Sequence, residues 1–193
     1  MNFDFAEVVN PFLEKADFNQ AIQLAEARLV AIPTSPFHLI LGKSLLNQAE
    51  SLCLWVDSFY EKATRSIVVK SLYFELTEFD INTDKWEIEG FTYAEDGGLD
   101  DQEWLADFSQ TISTDEAFVL VGYESLQEAF EEIALDSDDL QDAHDWCEQL
   151  VLARYRQLVY TAHQQAVERQ LSWAHIPVYC AEHGYNIITK SVV

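Results

Sequence analysis

The chain has 193 residues, of which 49% are hydrophobic and 13% aromatic, and its formal net charge is −23. This apolar content excludes an acidic disordered chain, and the length favours a single domain. The negative charge disfavours direct binding to nucleic acids or to anionic membrane surfaces, which need Lys and Arg side chains, and it favours a basic protein partner.

The charge is concentrated in the middle of the sequence. Between Glu75 and Glu148, 24 of the 34 acidic residues accompany one basic residue, Lys85, whereas the ten acids and ten basic residues outside this segment cancel. The three cysteines are far apart in apolar contexts, which predicts buried free thiols. With no signal-peptide pattern and no apolar run of membrane-spanning length, we expect a cytoplasmic protein.

Four helices are predicted in the first third of the chain. Asp17 and Gln20 form a capping-box pattern before an apolar periodic run, and Ser35 followed by Pro36 is typical of a helix start. Hydrophobic residues recur at helical spacing in all four segments, the last two of which are compatible with one continuous helix. The predicted helices cover residues 3–15, 17–31, 35–45 and 47–64.

Two segments of alternating polarity, residues 67–79 and 86–93, predict an antiparallel hairpin with its turn at residues 82–85. The outer face of this hairpin would display three carboxylates. Like charges on neighbouring strands cost stability unless a cation or a partner relieves them. The three residues are Glu75, Glu87 and Glu89.

The following acidic stretch, residues 94–114, allows two predictions. It forms either a short helix opened by its acids, which suit a helix N-terminus, or an ordered acidic loop with Trp104 as its anchor. Residues 117–123 are apolar on both faces, as expected of a central strand.

The last third begins with helices. A capping box starting at Ser125 predicts a short helix, and Ser137 followed by two aspartates predicts the start of a long helix that reaches about Leu171. Gly184 then suits the turn of a closing hairpin over residues 176–193.

Together these elements predict an α+β fold. We expect a single domain in which a mostly antiparallel sheet of about five strands packs against the N-terminal helices and one long helix. Its parts are a helical region (1–65), a strand and acidic region (66–123), a second helical region (125–171) and the terminal hairpin (176–193).

Enzyme motifs are missing from the sequence. It has no nucleophile elbow, no glycine-rich phosphate loop and only six glycines, so we expect neither an enzyme nor a bound cofactor. A Cys180/His183 pair could be nucleophilic, but on an extended strand the two would point to opposite faces, which favours a buried cysteine and a turn histidine.

A metal-dependent hydrolase is the alternative function. Asp142, His144, Asp145 and Glu148 are the nearest approach to a set of metal ligands, because residues 144 and 148 share one helix face and Asp145 lies beside them. The competing interpretation is the first turns of a helix with solvated acids. Known zinc and calcium spacings are absent from the sequence.

The leading hypothesis is an acidic surface that binds a basic protein. Its carboxylates would steer association and mimic phosphates, and two tryptophans would anchor the partner. The predicted contact residues are Glu87, Glu89, Asp100, Asp101, Glu103, Glu128, Glu131 and Asp138, with Trp86 and Trp104 as the anchors.

In size and charge the chain resembles the small acidic immunity proteins that bacteria pair with secreted toxins. That resemblance implies an inhibitor that neutralises a basic toxin, many of which act on nucleic acids through basic clefts. A third interpretation is a soluble domain whose charge serves solubility alone, with no cationic partner.

Overall fold

The computed structural model describes residues 3–77, 85–184 and 188–191. These residues form a layer of α-helices packed on a mixed, mostly antiparallel sheet, which confirms the predicted α+β class, the N-terminal helices and the long later helix. The helices are α1 (Phe3–Leu13), α2 (Phe18–Val30), α3 (Ala49–Ala63), α4 (Glu124–Glu132) and α5 (Asp138–Glu168). The strands are β1 (Ser71–Leu76), β2 (Glu87–Tyr93), β3 (Thr111–Ser113), β4 (Phe118–Val119), β5 (Val178–Glu182) and β6 (Thr189–Ser191).

Local capping signals explain where α2 and α5 begin. The Asp17 carboxylate accepts a hydrogen bond from the backbone N–H of Gln20 at 3.3 Å, and Ser137 caps α5 in the same way through Leu140. The capping box predicted at Ser125 does not form, because α4 begins one residue earlier and Ser125 lies inside its first turn.

The predicted helix over residues 35–45 is wrong. The chain forms only short 3₁₀ helices at Pro36–Ile40 and Leu46–Gln48. Leu41 turns to an extended conformation and Gly42 has φ of +70°, a conformation that glycine adopts readily and that interrupts a helix.

The sheet has the strand order β3-β2-β1-β5-β6, with β4 also paired to β2. The predicted β1–β2 and β5–β6 antiparallel pairs form, whereas the parallel pairing of β1 with β5 was not predicted from the sequence. The predicted central strand at residues 117–123 is instead the two-residue β4, which pairs with β2 alone among the described strands. Both predicted hairpin turns fall largely or partly outside the described residues.

The two faces of the sheet have different environments. Leu72, Phe74 and Leu76 point toward the helices and join the main core, in which α5 is central. The opposite face, called the outer face below, carries Tyr73 and Tyr93 and is partly covered by residues 94–110. This covering loop has two 3₁₀ turns and no α-helix, so the second of the two predictions for it, an ordered acidic loop, is confirmed.

Trp104 anchors the covering loop to the sheet. Its indole N–H donates to the carbonyl of Gly98 at 3.0 Å, and its ring lies 5.1 Å from that of Tyr93 and 5.2 Å from that of Tyr179. A second, smaller core is therefore built on the outer face. In the part of the chain that the structure describes, no helix has the length and apolarity required to cross a membrane.

Candidate functional site

The structure divides the predicted acidic surface between two layers. Asp100, Asp101 and Glu103, called the loop acids below, are exposed on the covering loop and share the outer side of the sheet with Glu87 and Glu89. The remaining predicted acids belong to the helical layer, because α4 packs on the Pro36–Ile40 turn and α5 follows it. Those exposed residues are Glu128, Glu131 and Asp138.

The two predicted tryptophan anchors are buried. Trp86 is fully buried between the rings of Tyr123 and Phe130, and Trp104 retains 6% of its accessible surface under the covering loop. Neither ring is therefore exposed to a partner in this structure. Both rings serve the fold: Trp86, which directly precedes β2, packs against Phe130 of α4, and Trp104 is held by its own loop.

Glu75 and Glu89 form the centre of the outer face. They are direct partners in the antiparallel register of β1 and β2, so both carboxylates project from the same face with Cβ atoms about 4.5–5.5 Å apart. Glu87 lies two residues before Glu89 and points to the same side. The three residues are called the carboxylate cluster below.

Glu75 has two further polar neighbours. Its Oε1 lies 3.1 Å from His183 Nδ1 and 3.5 Å from the Tyr73 hydroxyl, which donates to it. His183 follows β5, and the parallel β1–β5 pairing brings it beside the end of β1. When protonated, His183 would form an ion pair with Glu75, and the side chain of His183 is 61% exposed.

The phenol groups of this face remain protonated at neutral pH. Burial, followed by the charge of Glu75, raises the pKa of Tyr93 to about 12 and raises that of Tyr73 further. The hydroxyls therefore act as hydrogen-bond donors. Tyr73 donates to Glu75 and Tyr93 donates to the Leu105 carbonyl at 2.9 Å.

Aromatic surface lies next to the carboxylate cluster. Phe91 follows Glu89 by two residues on β2 and is partly exposed, and its ring lies 6.3 Å from that of Phe108. Phe108 is 62% exposed, unusually high for a phenylalanine. Carboxylates and accessible phenyl rings thus occur side by side on one face.

The carboxylates of the outer face and the loop acids have few cationic neighbours among the described residues. Lys85 Nζ is 3.9 Å from Glu87 Oε1, and both side chains are substantially exposed. Within residues 3–77, 85–184 and 188–191, no ion pair involves Glu89 or any of the loop acids. The outer layer therefore presents negative charge to solvent.

A second group lies near the start of α5. The side chains of His144, Asp145 and Glu148 offer ligand atoms that all lie within 4.8 Å of one another. Asp145 is 2% exposed and Glu148 is fully buried, so the interpretation of these two residues as solvated acids is wrong. Asp142, the fourth residue predicted for this group, is exposed and lies outside it.

The cysteines have no nucleophilic environment. All three are buried and free, as predicted. Burial raises the pKa of Cys180, whose sulfur lies 3.1 Å from the Thr189 hydroxyl on the helix-facing side of the sheet. His183 lies on the other side with Glu75, so these two residues form no pair.

Sequence reasoning missed the contact between Glu75 and His183. The two residues are 108 positions apart and meet only because β5 runs parallel to β1. No local pattern signals that pairing, although His183 directly follows a predicted strand. The chain matches no protein-family model, and neither the curated proteins nor the solved structures include a significant match.

Proposed function

We propose that this protein binds a basic protein partner through the outer face of its sheet. The observation that carries the proposal is the pairing of Glu75 with Glu89 across β1 and β2, with Glu89 outside any ion pair among the described residues. Two like charges held directly opposite each other destabilise a sheet, and a cationic side chain from a partner would relieve that cost.

The neighbouring rings favour arginine as the side chain that is bound. A guanidinium group can donate paired hydrogen bonds to a carboxylate while it stacks on an aromatic face. Phe91 provides such a face two residues from Glu89, and the exposed ring of Phe108 lies next to that of Phe91. An arginine of the partner would thus contact a carboxylate and a phenyl ring together, as the central residues of an interface commonly do.

The loop acids extend this surface. They would attract the partner over longer range, raise the association rate and make that rate sensitive to salt. A protein with this charge distribution suits an inhibitor of the immunity type, in which carboxylates occupy the positions that nucleic acid phosphates take in a basic cleft. We place the protein in that class of function, without catalytic activity of its own.

A binding titration with charge-matched variants tests the proposal. The ligand is an oligoarginine peptide, and the affinity is measured by calorimetry at low and high salt for the intact chain. The test variant carries Glu75→Gln and Glu89→Gln. The control variant carries Glu7→Gln and Glu14→Gln on and just after α1, two exposed residues of the helical layer, so that both variants have the same net charge.

The outer-face variant should bind at least about tenfold more weakly, since each lost charge contact at a packed site costs on the order of 1 kcal/mol or more. The control should bind within about twofold of the wild type, because remote exposed charges are screened. Equal weakening in both variants would show that only the net charge attracts the peptide and would overturn the proposed site.

A further inference from the structure

A group of three potential metal ligands lies on α5, away from the outer face. His144 and Glu148 are one helical turn apart on the same face, and Asp145 is adjacent to His144. Their ligand atoms lie within 4.8 Å of one another. A divalent ion with bonds of about 2.0–2.2 Å holds its ligand atoms roughly 3–4 Å apart, so the group needs only small side-chain movements to close on one.

Burial separates this group from an ordinary set of surface acids. Asp145 and Glu148 are almost completely inaccessible, and the side chain of His144 is 12% exposed. Carboxylates in a poorly solvated region attract a divalent cation more strongly than surface acids do, because the low local dielectric strengthens charge interactions. The histidine supplies a neutral nitrogen ligand at the edge of the group that faces solvent.

Two of these side chains, Asp145 and His144, have supporting contacts with neighbours outside the group. Gln141 Nε2 donates to Asp145 Oδ1 at 3.0 Å, as hydrogen bonds to metal-ligating carboxylates commonly do. The imidazole of His144 lies edge-on to Phe37 at 5.3 Å and packs against Phe130 at 4.7 Å. Such supporting contacts limit the entropy lost when ligands close around an ion.

We infer that His144, Asp145 and Glu148 bind a divalent transition-metal ion. One imidazole nitrogen with two carboxylate oxygens suits Zn²⁺ or Mn²⁺ better than Ca²⁺, which takes six to eight oxygen ligands. Phe37 and Phe130 pack against the imidazole of His144, and three protein ligands would leave one further position for a water molecule. The ion would stabilise the start of α5 against the Pro36–Ile40 turn and α4.

The test titrates Zn²⁺, and separately Mn²⁺ and Mg²⁺, into the full chain after treatment with a chelator. Calorimetry gives the stoichiometry and affinity, and the midpoint of thermal unfolding reports stabilisation. The variants are Glu148→Gln and His144→Gln. Asp142→Asn, an exposed acid on the same helix, and His175→Gln, an exposed histidine, are the matched controls.

The wild type should bind one Zn²⁺ or Mn²⁺ and unfold at a higher temperature when it is bound. Both site variants should bind at least about tenfold more weakly, and both controls should bind as the wild type does. Absence of saturable binding of either ion, or equal loss in the site and control variants, would overturn the inference.

A measurement on the wild type alone covers the case in which a site variant fails to fold. In NMR spectra of the histidine side chains, Zn²⁺ should shift the ring resonances of His144 at one molar equivalent. The ring of His183, beside Glu75, is the internal comparison. Shifts confined to His183 or His175 would place the ion elsewhere and would contradict the site.

Discussion

Glu75 and Glu89 face each other across β1 and β2 on the side of the sheet that the helices leave uncovered. Their environments differ, because Glu75 contacts Tyr73 and His183, whereas Glu89 is exposed and forms no ion pair among the residues described. The two carboxylates therefore repel each other in the free protein. This repulsion links the stability of the fold to the binding that we propose.

Removing the charge of Glu89 should stabilise the free protein. We expect Glu89→Gln to raise the free energy of unfolding by about 0.2–1 kcal/mol at low salt, because it removes a like-charge cross-strand pair. The gain should shrink as salt screens the charges. Denaturant unfolding at two salt concentrations measures it, and Glu7→Gln on α1 should change little. A loss of stability in Glu89→Gln at low salt would contradict the repulsion.

Gly97 should not tolerate a side chain. A Cβ atom at this position would lie 2.1 Å from Cδ1 of Trp104, so Gly97→Ala must displace the ring that anchors the covering loop. We expect a loss of about 1–3 kcal/mol, as for other overpacked sites. Denaturant unfolding measures the loss, and tryptophan fluorescence reports the displaced ring. The double variant with Trp104→Phe should lose less than the two single changes summed, and strict additivity would count against the contact.

The hydroxyl of Tyr155 should contribute to stability. It donates a hydrogen bond of 2.8 Å to the Phe74 carbonyl inside the core and joins α5 to β1. Tyr155→Phe leaves that carbonyl without this donor, so we expect a loss of about 1–3 kcal/mol in chemical denaturation. Tyr160→Phe is the control, since no hydrogen bond of its hydroxyl occurs among the described residues. Equal effects of the two changes would contradict the assignment.

Stability should fall in mild acid because of His163. Burial lowers the pKa of its imidazole, although the hydrogen bond to the Ala174 carbonyl acts in the opposite direction. Protons then bind the unfolded chain more readily than the folded chain. The stability due to neutral His163 is therefore present above the unfolded pKa of about 6.5 and is lost as the pH falls below it toward the lowered folded value.

Thermal unfolding from about pH 7.5 to about pH 5 checks this linkage. His163→Gln should be less stable than the wild type at neutral pH but should lose less stability on acidification. His175→Gln, at an exposed histidine beside the same cavity, should keep the wild-type slope. Asp96 and Lys190 also line this cavity and remain in both variants. An unchanged slope in His163→Gln would contradict the assignment.

Local signals in the sequence predicted most of the helices and paired strands. The side chains of Asp17 and Ser137 cap α2 and α5 where the sequence pattern predicted helix starts, and alternation of polarity placed β1 and β2. The failures have local causes as well. The positive φ of Gly42 ends the helical conformation after a few residues, and hydrophobic spacing alone does not reveal such a break.

The geometry of the candidate sites depends more on long-range packing than the helices and strands do, so less of it could be predicted. Trp104 stands among exposed acids in the sequence, yet the covering loop folds back and buries it against Tyr93 and Tyr179. The contact of Glu75 with His183 needs the parallel β1–β5 pair, which no local pattern specifies. By contrast, His144 and Glu148 are one turn apart on a helix, so their proximity could be predicted although their burial could not.

The most direct test of the partner-binding surface is to map it by NMR. An oligoarginine peptide is titrated into isotope-labelled protein at low salt, and changes in the amide resonances locate the contact. We expect the largest changes at Glu75, Glu89, Phe91 and Phe108, with smaller changes at the loop acids. Largest changes on α4 and the first turn of α5, around Glu128 and Asp138, would contradict this expectation and would move the binding surface to the helical layer.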